Sequence, residues 1–128
     1  MNDIETEIQA KGLTAPRITP ADIEANIISE HLFTAAQGDQ QAQEDEYEGR
    51  SVQPKDNPLS LLTFCVLVLR NGFTVTGESA CASPENFNAE IGRKIARENA
   101  INKVWPLMGY QLKEQLYQMA QPDTAVPN

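Results

Sequence analysis

The stretch LLTFCVLVLRNGFTVTGESA, residues 61–80, decides the fold class of this chain. Asn71 and Gly72 stand between two runs that are rich in β-branched and aromatic residues. An Asn-Gly pair in that setting is the strongest short-range signal for a β-hairpin, because the tight turn needs backbone conformations that these two residues tolerate. We therefore predict antiparallel strands over about 61–70 and 73–80.

The turn also predicts how the two strands pair. A two-residue type I′ turn places Arg70 opposite Phe73 and Cys65 opposite Glu78. In that pairing Cys65 and Cys81 do not face each other, which argues against a disulfide. Two free thiols without a CxxC pair are typical of a reducing compartment.

The first strand is apolar on both faces, so we expect other elements to cover both of them. A two-stranded hairpin is marginally stable by itself in water. The predicted fold is therefore α+β: an antiparallel hairpin over about 61–80, packed with an N-terminal helix and C-terminal helices. Residues 1–128 are expected to form a single domain with its core at 60–120. We expect the fold to be oligomeric, with a second copy completing the sheet or sandwiching it.

The residues before the hairpin predict one helix and one loop. ITPADIEANIISEHLF reads as an amphipathic helix over about 20–33, with Thr19 as its N-cap and Pro20 at its first position. Residues 34–59 contain few large apolar side chains, many glutamines and many acids. This composition predicts a flexible acidic loop.

The residues after the hairpin predict a long helix over 82–105, capped by Ser83 and ended or kinked at Pro106, and then a further helix. Gly92 in its middle costs about 1 kcal/mol relative to alanine, which indicates close packing at that position. Five large apolar residues fall on one side of this helix and predict its buried stripe: Phe87, Ile91, Ile95, Ile101 and Trp105.

Composition excludes several classes of partner. The chain has a net charge of −8, concentrated in its first half, so we expect no long nucleic acid partner. It contains no apolar run of about 18 residues, so no membrane span is expected. The N-terminus MNDIETEIQAKG lacks a signal pattern, so we expect no export. One histidine and two cysteines leave few ligands for zinc, and we expect no metal and no cofactor.

Against this acidic background, Arg93 and Arg97 stand four positions apart in EIGRKIAREN, residues 90–99. That spacing makes them neighbours on a helix. Guanidinium groups match the oxygens of phosphate and carboxylate in a planar, two-pronged geometry. The two arginines either bind a small anion or form ion pairs with nearby acids such as Glu90 and Glu98, and the sequence leaves both open.

Other candidates for ligand contact lie near the turn and near the start of the long helix. Phe73 beside Arg70 can stack on a base, or the two can form a cross-strand cation–π or core contact. Asn86 and Asn88 lie where free backbone N–H groups favour an anion, and equally where side chains cap helices. In each case both interpretations stay open.

Motifs for catalysis are lacking. No Ser-His-Asp or Cys-His set can be assembled around His31, the one histidine. The sequence contains neither a GxGxxG nor a Walker loop. We therefore expect that the protein is not an enzyme.

The segment from LLTFCVLVLRNGF through SACASPENFNAEIGRKIARENAINKVWPLMGY resembles a family of small tailed-phage proteins. The similarity covers about residues 59–112, with a weaker echo in ITPADIEANIISEHLF. The combination NGF, SACxxPxNF, EIGxxIAxxNA and GYxL carries it. The family is similar to the first-described type of Thoeris anti-defence proteins.

That resemblance implies a phage protein in the host bacterial cytoplasm that binds and sequesters cyclic ADP-ribose isomers without cleaving them. Some such proteins also hold the cyclic di- or trinucleotides of CBASS defence, and they form dimers that can build hexamers. Arg93 and Arg97 would then contact the pyrophosphate, Phe73 the adenine, and Asn86 polar groups of the ligand. The alternative is a non-catalytic phage interaction protein that binds a host protein through an apolar face.

Overall fold

The structure, a computed structural model, describes residues 2–45 and 57–122. Its helices and strands follow in the order α1 (Asn2–Ala10), α2 (Pro20–Ala25), β1 (Ile27–Thr34), α3 (Ala35–Glu44), β2 (Leu62–Leu69), β3 (Thr74–Ala80) and α4 (Ala89–Ala120). Short 3₁₀ turns precede β2 and α4, at Pro58–Leu61 and Pro84–Asn86.

The described residues form two compact units. One holds those of Met1–Ala25 and Val104–Asn128, and the other holds those of Asn26–Lys103. The second unit contains the whole sheet and the first half of α4. An α+β class with an antiparallel sheet and helices at both ends is thus confirmed, and the second unit carries all the predicted site residues.

The predicted hairpin is present, but the sheet has three strands in the order β1-β2-β3, both pairs antiparallel. The third strand, β1, corrects the prediction of a helix over 20–33, since α2 ends at Ala25 and a strand begins at Ile27. Thr19 and Asp22 do exchange the capping hydrogen bonds that start α2. Pairing with β2 then overrides the helical pattern, because it satisfies the backbone of β1 and covers the open edge of a very apolar strand.

The prediction of a flexible loop over 34–59 is wrong for its first part, which forms α3. Thr34 and Gln37 make a complete capping box there, each side chain bonding the other residue's backbone N–H. Gly38 brings α3 against the ring of Phe33, so this helix covers part of one sheet face. The remainder of the predicted loop, apart from the turn that leads into β2, lies outside the described residues.

The hairpin turn is one residue longer than predicted. Leu69 N–H donates to the Phe73 carbonyl at 2.8 Å, and Gly72 N–H donates to the Leu69 carbonyl at 2.8 Å. Gly72 has a φ of +90°, so a three-residue loop with a left-handed glycine replaces the type I′ turn. Phe73 is therefore opposite Leu69, and the predicted pairing of Arg70 with Phe73 is wrong.

The same one-residue shift places Gly77, instead of Glu78, opposite Cys65. This position lies directly under α4. A Cβ atom on Gly77 would collide with the backbone oxygen of Ala96 and the backbone nitrogen of Ala100. The helix backbone therefore rests on the strand backbone, which only glycine allows at this point.

In the second unit, the buried side of α4 consists of small residues, which corrects the predicted stripe of large ones. Ala96 and Ala100 are fully buried, whereas Ile91 is 56% and Ile95 43% exposed. Gly92 is also buried, and its Cβ position lies 3.1 Å from the Thr63 hydroxyl, so the close packing predicted there is confirmed. Small side chains occupy this face of the helix because they allow it to pack closely against the sheet.

The ends of α4 also differ from the prediction. The helix begins at Ala89, where the Asn88 side chain accepts a hydrogen bond from the Ile91 N–H at 3.0 Å. Ser83 precedes only the 3₁₀ turn. Pro106 lies inside a continuous helix that ends at Ala120. Among the residues that the structure describes, no helix combines the length and the hydropathy needed to cross a membrane.

The other unit contains an ion pair that fixes α1 to the segment after it. The two terminal guanidinium nitrogens of Arg17, Nη1 and Nη2, each donate to one oxygen of the Glu5 carboxylate at 2.8 Å. Hydrogen bonding from Arg17 holds the pKa of Glu5 below its usual range. This pair ties two segments twelve residues apart along the chain.

Replacement of Gly77 tests the contact between strand and helix. Gly77→Ala should lower the free energy of unfolding by about 3 kcal/mol or more, because backbone atoms of α4 would have to move. Gly109→Ala is the matched control on α4, where nothing lies within 4 Å, and it should stabilise by up to about 1 kcal/mol. Urea unfolding measures both, and equal effects of the two substitutions would contradict the packing.

The Glu5–Arg17 pair predicts a local dependence on pH. Since the folded-state pKa of Glu5 is lowered, its contribution to stability is present above the usual carboxyl range and is lost as the pH falls through that lowered value. Glu5→Gln should therefore lower hydrogen-exchange protection of the amides of residues 11–13 near neutral pH and leave it little changed in acid. Glu7→Gln, at the exposed pair with Lys11, is the control and should have a smaller effect.

Candidate functional site

The candidate site is built on the first half of α4, where polar side chains project to either side of the buried stripe. On one side the Nε of Arg97 donates to the carboxylate of Glu30 on β1 at 2.6 Å. On the other side the Nδ2 of Asn99 donates to the backbone carbonyl of Glu78 on β3 at 2.8 Å. Lys103 also approaches the Glu78 carboxylate, at 4.0 Å. These contacts assign one side of α4 to β1 and the other to β3.

Arg93 lies one helical turn before Arg97 and so projects on the same side of α4, toward β1. Its side chain is exposed, and it forms no ion pair within the described ranges 2–45 and 57–122. Glu90, one of the acids expected to pair with it, instead contacts Lys94 at 3.2 Å. Arg93 is thus an available cation in a strongly acidic protein.

Arg97 has a structural role that the sequence did not predict. Its partner is Glu30, on a different element, and not Glu90 or Glu98 of its own helix. The two side chains are 31% and 40% exposed, so the pair is partly shielded from water. Glu30 fixes the position of the Arg97 guanidinium through the Nε donation.

Glu30 was missed because residue 30 was predicted to lie on a helix. On β1 it stands opposite Leu67, on the face of the sheet that α4 covers. The signal that could have found it is the strand-like composition of IISEHLF, whose apolar residues also fit a helical period. Only the pairing of β1 with β2 separates the two possibilities.

Cys65 lies beneath the ion pair between Arg97 and Glu30. Burial raises the pKa of its thiol, and the nearby Glu30 charge acts in the same direction, while Arg97 opposes them. Cys65 and Cys81 are both free, as predicted. Burial and the Glu30 charge therefore both favour the protonated form of the Cys65 thiol.

Phe73 and Arg70 lie at the tip of the hairpin. Phe73 is 56% exposed, so its ring is available for stacking. The backbone of Arg70 is tied to β1 by an N–H donation to the Asn26 carbonyl at 2.9 Å, and its side chain is exposed. The tip thus presents one aromatic ring and one guanidinium from a fixed backbone.

Asn86 lies at the other end of the sheet, in the 3₁₀ turn that follows β3. Its backbone N–H donates to the Ser83 carbonyl and its side chain is exposed. Asn88, by contrast, is used as the N-cap of α4, in agreement with the capping interpretation.

The predicted site residues therefore form two groups. Asn86 and Arg93 are near the end of the sheet where β2 begins, since Gly92 contacts Thr63 there. Arg70 and Phe73 are at the opposite end, about 24 Å away if β3 has the usual rise per residue. Arg97 lies between them. One protomer does not bring all five residues around a single small ligand.

Two other features of the described residues give no support for a binding site: the arrangement of possible metal ligands and one cleft. No group of three or more His, Cys, Asp and Glu side chains in these residues is arranged to hold a metal ion. A cleft of about 460 Å³ lies in the unit that contains α1, lined by residues 12–17 together with Gln9 and Thr19. Its one arginine, Arg17, is paired with Glu5, so the cleft presents no unpaired cation.

Comparison with known proteins identifies the family. No curated protein and no solved structure matches the chain. The model of the family described as Phage protein (N4 Gp49/phage Sf6 gene 66) matches residues 18–116, which include the whole sheet and most of α4. Because this match spans well over half of the sequence, the chain belongs to the N4 Gp49/phage Sf6 gene 66 family of phage proteins.

Proposed function

We propose that this phage-family protein binds and sequesters small cyclic nucleotide immune signals in the cytoplasm of the bacterial host, without cleaving them. The ligands proposed are cyclic ADP-ribose isomers, with cyclic di- and trinucleotides as a second class. Membership of the phage family and the resemblance of residues 59–112 to Thoeris anti-defence proteins support this proposal.

The observation that carries the proposal is the state of the two arginines on α4. Arg93 is exposed and makes no ion pair in the described part of the chain, and Arg97 is positioned beside it by Glu30. Two adjacent guanidinium groups, one of them oriented in advance, suit the oxygens of a pyrophosphate or a phosphodiester. In a chain of net charge −8, they form a local site for a small anion.

Phe73 supplies the second element of nucleotide recognition. Its exposed ring, with Arg70 nearby at the hairpin tip, can stack on a purine. Since the tip is far from Arg93 in one protomer, a single ligand can touch both only if a second copy contributes one of them. We therefore propose a homodimer, able to extend to a hexamer, with the ligand held between subunits.

The mechanism is mass action and involves no reaction step. A protein that holds the signal with a Kd of 1 μM gains about 8.2 kcal/mol at the standard state, and tighter binding lowers the free signal further. Defence fails when the free signal stays below the threshold of its effector. No general base, nucleophile or metal is required, so the ligand is released intact when the protein unfolds.

A ligand panel tests the proposal directly. Purified protein is heated with cyclic ADP-ribose isomers, cyclic dinucleotides and cyclic trinucleotides, and the melting temperature is recorded. At a hundredfold excess over Kd, a true ligand adds about 2.7 kcal/mol to the stability of the fold. Chromatography of the heat-released ligand should recover it unchanged. Conversion of the ligand would refute sequestration, and no shift with any member would refute nucleotide binding.

Arg93→Ala tests the anion site with little risk to the fold, because the side chain is exposed. It should weaken binding of the identified ligand by about ten- to a hundredfold, as expected for one lost charge-assisted hydrogen bond. Lys94→Ala is the matched control, since it removes an exposed cation from the adjacent position. Calorimetric titration measures both, and equal losses would assign the effect to net charge alone.

The alternative function, binding of a host protein through an apolar face, is favoured by one observation. On the sheet face turned away from α4, Phe64, Val66 and Val68 of β2 are only half-buried. Such a patch between more polar neighbours suits a protein partner. Failure of the whole nucleotide panel, with capture of one host protein that Val66→Lys abolishes, would support this alternative.

A further inference from the structure

We propose that Asn71 is a site of spontaneous covalent modification, in which its carboxamide reacts with the backbone nitrogen of Gly72 and is converted to aspartate or isoaspartate. The hairpin both creates this reactive pair and slows its reaction. The inference goes beyond nucleotide binding, because the modification takes place in the protein alone and is measured without a ligand.

The reactive pair is a product of the turn between β2 and β3. Gly72 has a φ of +90°, a backbone conformation that favours glycine. Asn71 suits the position before it, because its side chain bonds to the backbone N–H two residues further on. Asn71 alone among the asparagines of the chain precedes a glycine. The turn that the fold requires therefore places an Asn-Gly pair at the hairpin tip.

Access to the pair is open. Ring closure on an asparagine depends on how freely the next backbone nitrogen can reach the carboxamide carbon, and a glycine has no side chain to crowd that approach. Asn71 and Gly72 are both exposed. Among the described residues beyond its chain neighbours, no atom lies within 4 Å of the place where a Cβ on Gly72 would stand. Water and hydroxide can therefore reach both reacting groups.

The reaction needs no reagent other than water. The Gly72 nitrogen gives up its proton to solvent base and forms a bond to Cγ of Asn71. The bond from Cγ to Nδ2 breaks, and Nδ2 takes up a proton and leaves as ammonia. Water then opens the cyclic imide. Opening at Cγ gives aspartate, and opening at the backbone carbonyl gives isoaspartate, so nothing is oxidised or reduced.

Two hydrogen bonds at the tip oppose this reaction in the folded protein. The Gly72 N–H donates to the Leu69 carbonyl at 2.8 Å, and this bond must break because the nitrogen loses its proton when it attacks. The Oδ1 of Asn71 accepts from the Phe73 N–H at 2.9 Å, which holds the carboxamide in the turn. The modification should therefore be slower in the native hairpin than in the unfolded chain.

Either product changes the hairpin tip. Each adds a negative charge to a chain whose net charge is already −8, next to the exposed side chain of Arg70. Isoaspartate also lengthens the main chain by a methylene group, which alters the spacing on which the hydrogen bonds of the loop depend. Under the proposed function, the added charge would oppose an anionic ligand at Phe73, but the modification itself does not rest on that function.

Ageing of the full-length protein tests the assigned site. Wild type is kept at mildly alkaline pH and physiological temperature, acidic forms are separated by ion exchange, and isoaspartate is located by peptide mapping. The new charge should map to Asn71. Asn88 is an internal control, since its side chain also accepts a backbone N–H, at 3.0 Å, but Ala89 follows it. Asn71→Gln should abolish the acidic form, because glutamine closes a larger ring far more slowly.

Unfolding tests the protection by the hairpin. The same incubation is repeated in urea at a concentration above the unfolding transition. Conversion at Asn71 should be about tenfold faster or more than in the native protein, as expected when the hydrogen bonds that hold both reacting groups are released. Conversion at Asn88 in the same samples shows how much of the change is common to asparagines.

Asn71→Asp separates the added charge from the lengthened main chain. It carries the charge on an unaltered backbone, so its melting temperature should fall less than that of the isoaspartate form purified from aged wild type. A smaller fall for the isoaspartate form would contradict the effect assigned to the loop spacing.

Two results would overturn the inference. Conversion that maps to other asparagines, with none at Asn71, would reject the site. Equal rates at Asn71 in native and unfolded protein would reject its protection by the hairpin. A protein that converts at Asn71 as expected but binds no cyclic nucleotide would support this modification and refute the proposed function, so the two can fail separately.

Discussion

The contact between Gly77 of β3 and the backbone of α4 at Ala96 and Ala100 is the constraint on which the rest of the second unit depends. A helix that rests on a strand without intervening side chains has little freedom to rotate about its axis. The orientation of every other side chain on the first half of α4 then follows. Arg97 meets Glu30 on β1, and Asn99 meets Glu78 on β3, because the small residues face the sheet.

This close packing also explains why the large residues of α4 are exposed. The chain has only a modest number of apolar side chains to bury, and it uses Cys65, Leu67 and the two alanines for the core under the helix. Ile91 and Ile95 remain on the side toward the β3 edge.

The candidate function of the second unit rests on which arginines are paired with carboxylates and which are exposed. Arg17 in the other unit and Arg97 are each tied to a carboxylate, whereas Arg93 is exposed and has no ion pair among the described residues. The aromatic ring that could recognise a base, Phe73, is at the far end of the sheet. Within one protomer, Arg93 and Phe73 therefore lie too far apart to contact one small ligand together.

Four features could be predicted from residues that are close together in the chain: the hairpin, the class of the fold, the free thiols and the helical proximity of Arg93 to Arg97. The sequence could not show that residues 27–34 form a strand, since their apolar residues fit both a helical and a strand period. Pairing with β2 selects the strand. Nor did the sequence determine which side of α4 is buried: the large residues predicted one side, and the space above Gly77 selected the other. Both features depend on contacts between residues that are distant in the chain, so local sequence patterns could not predict them.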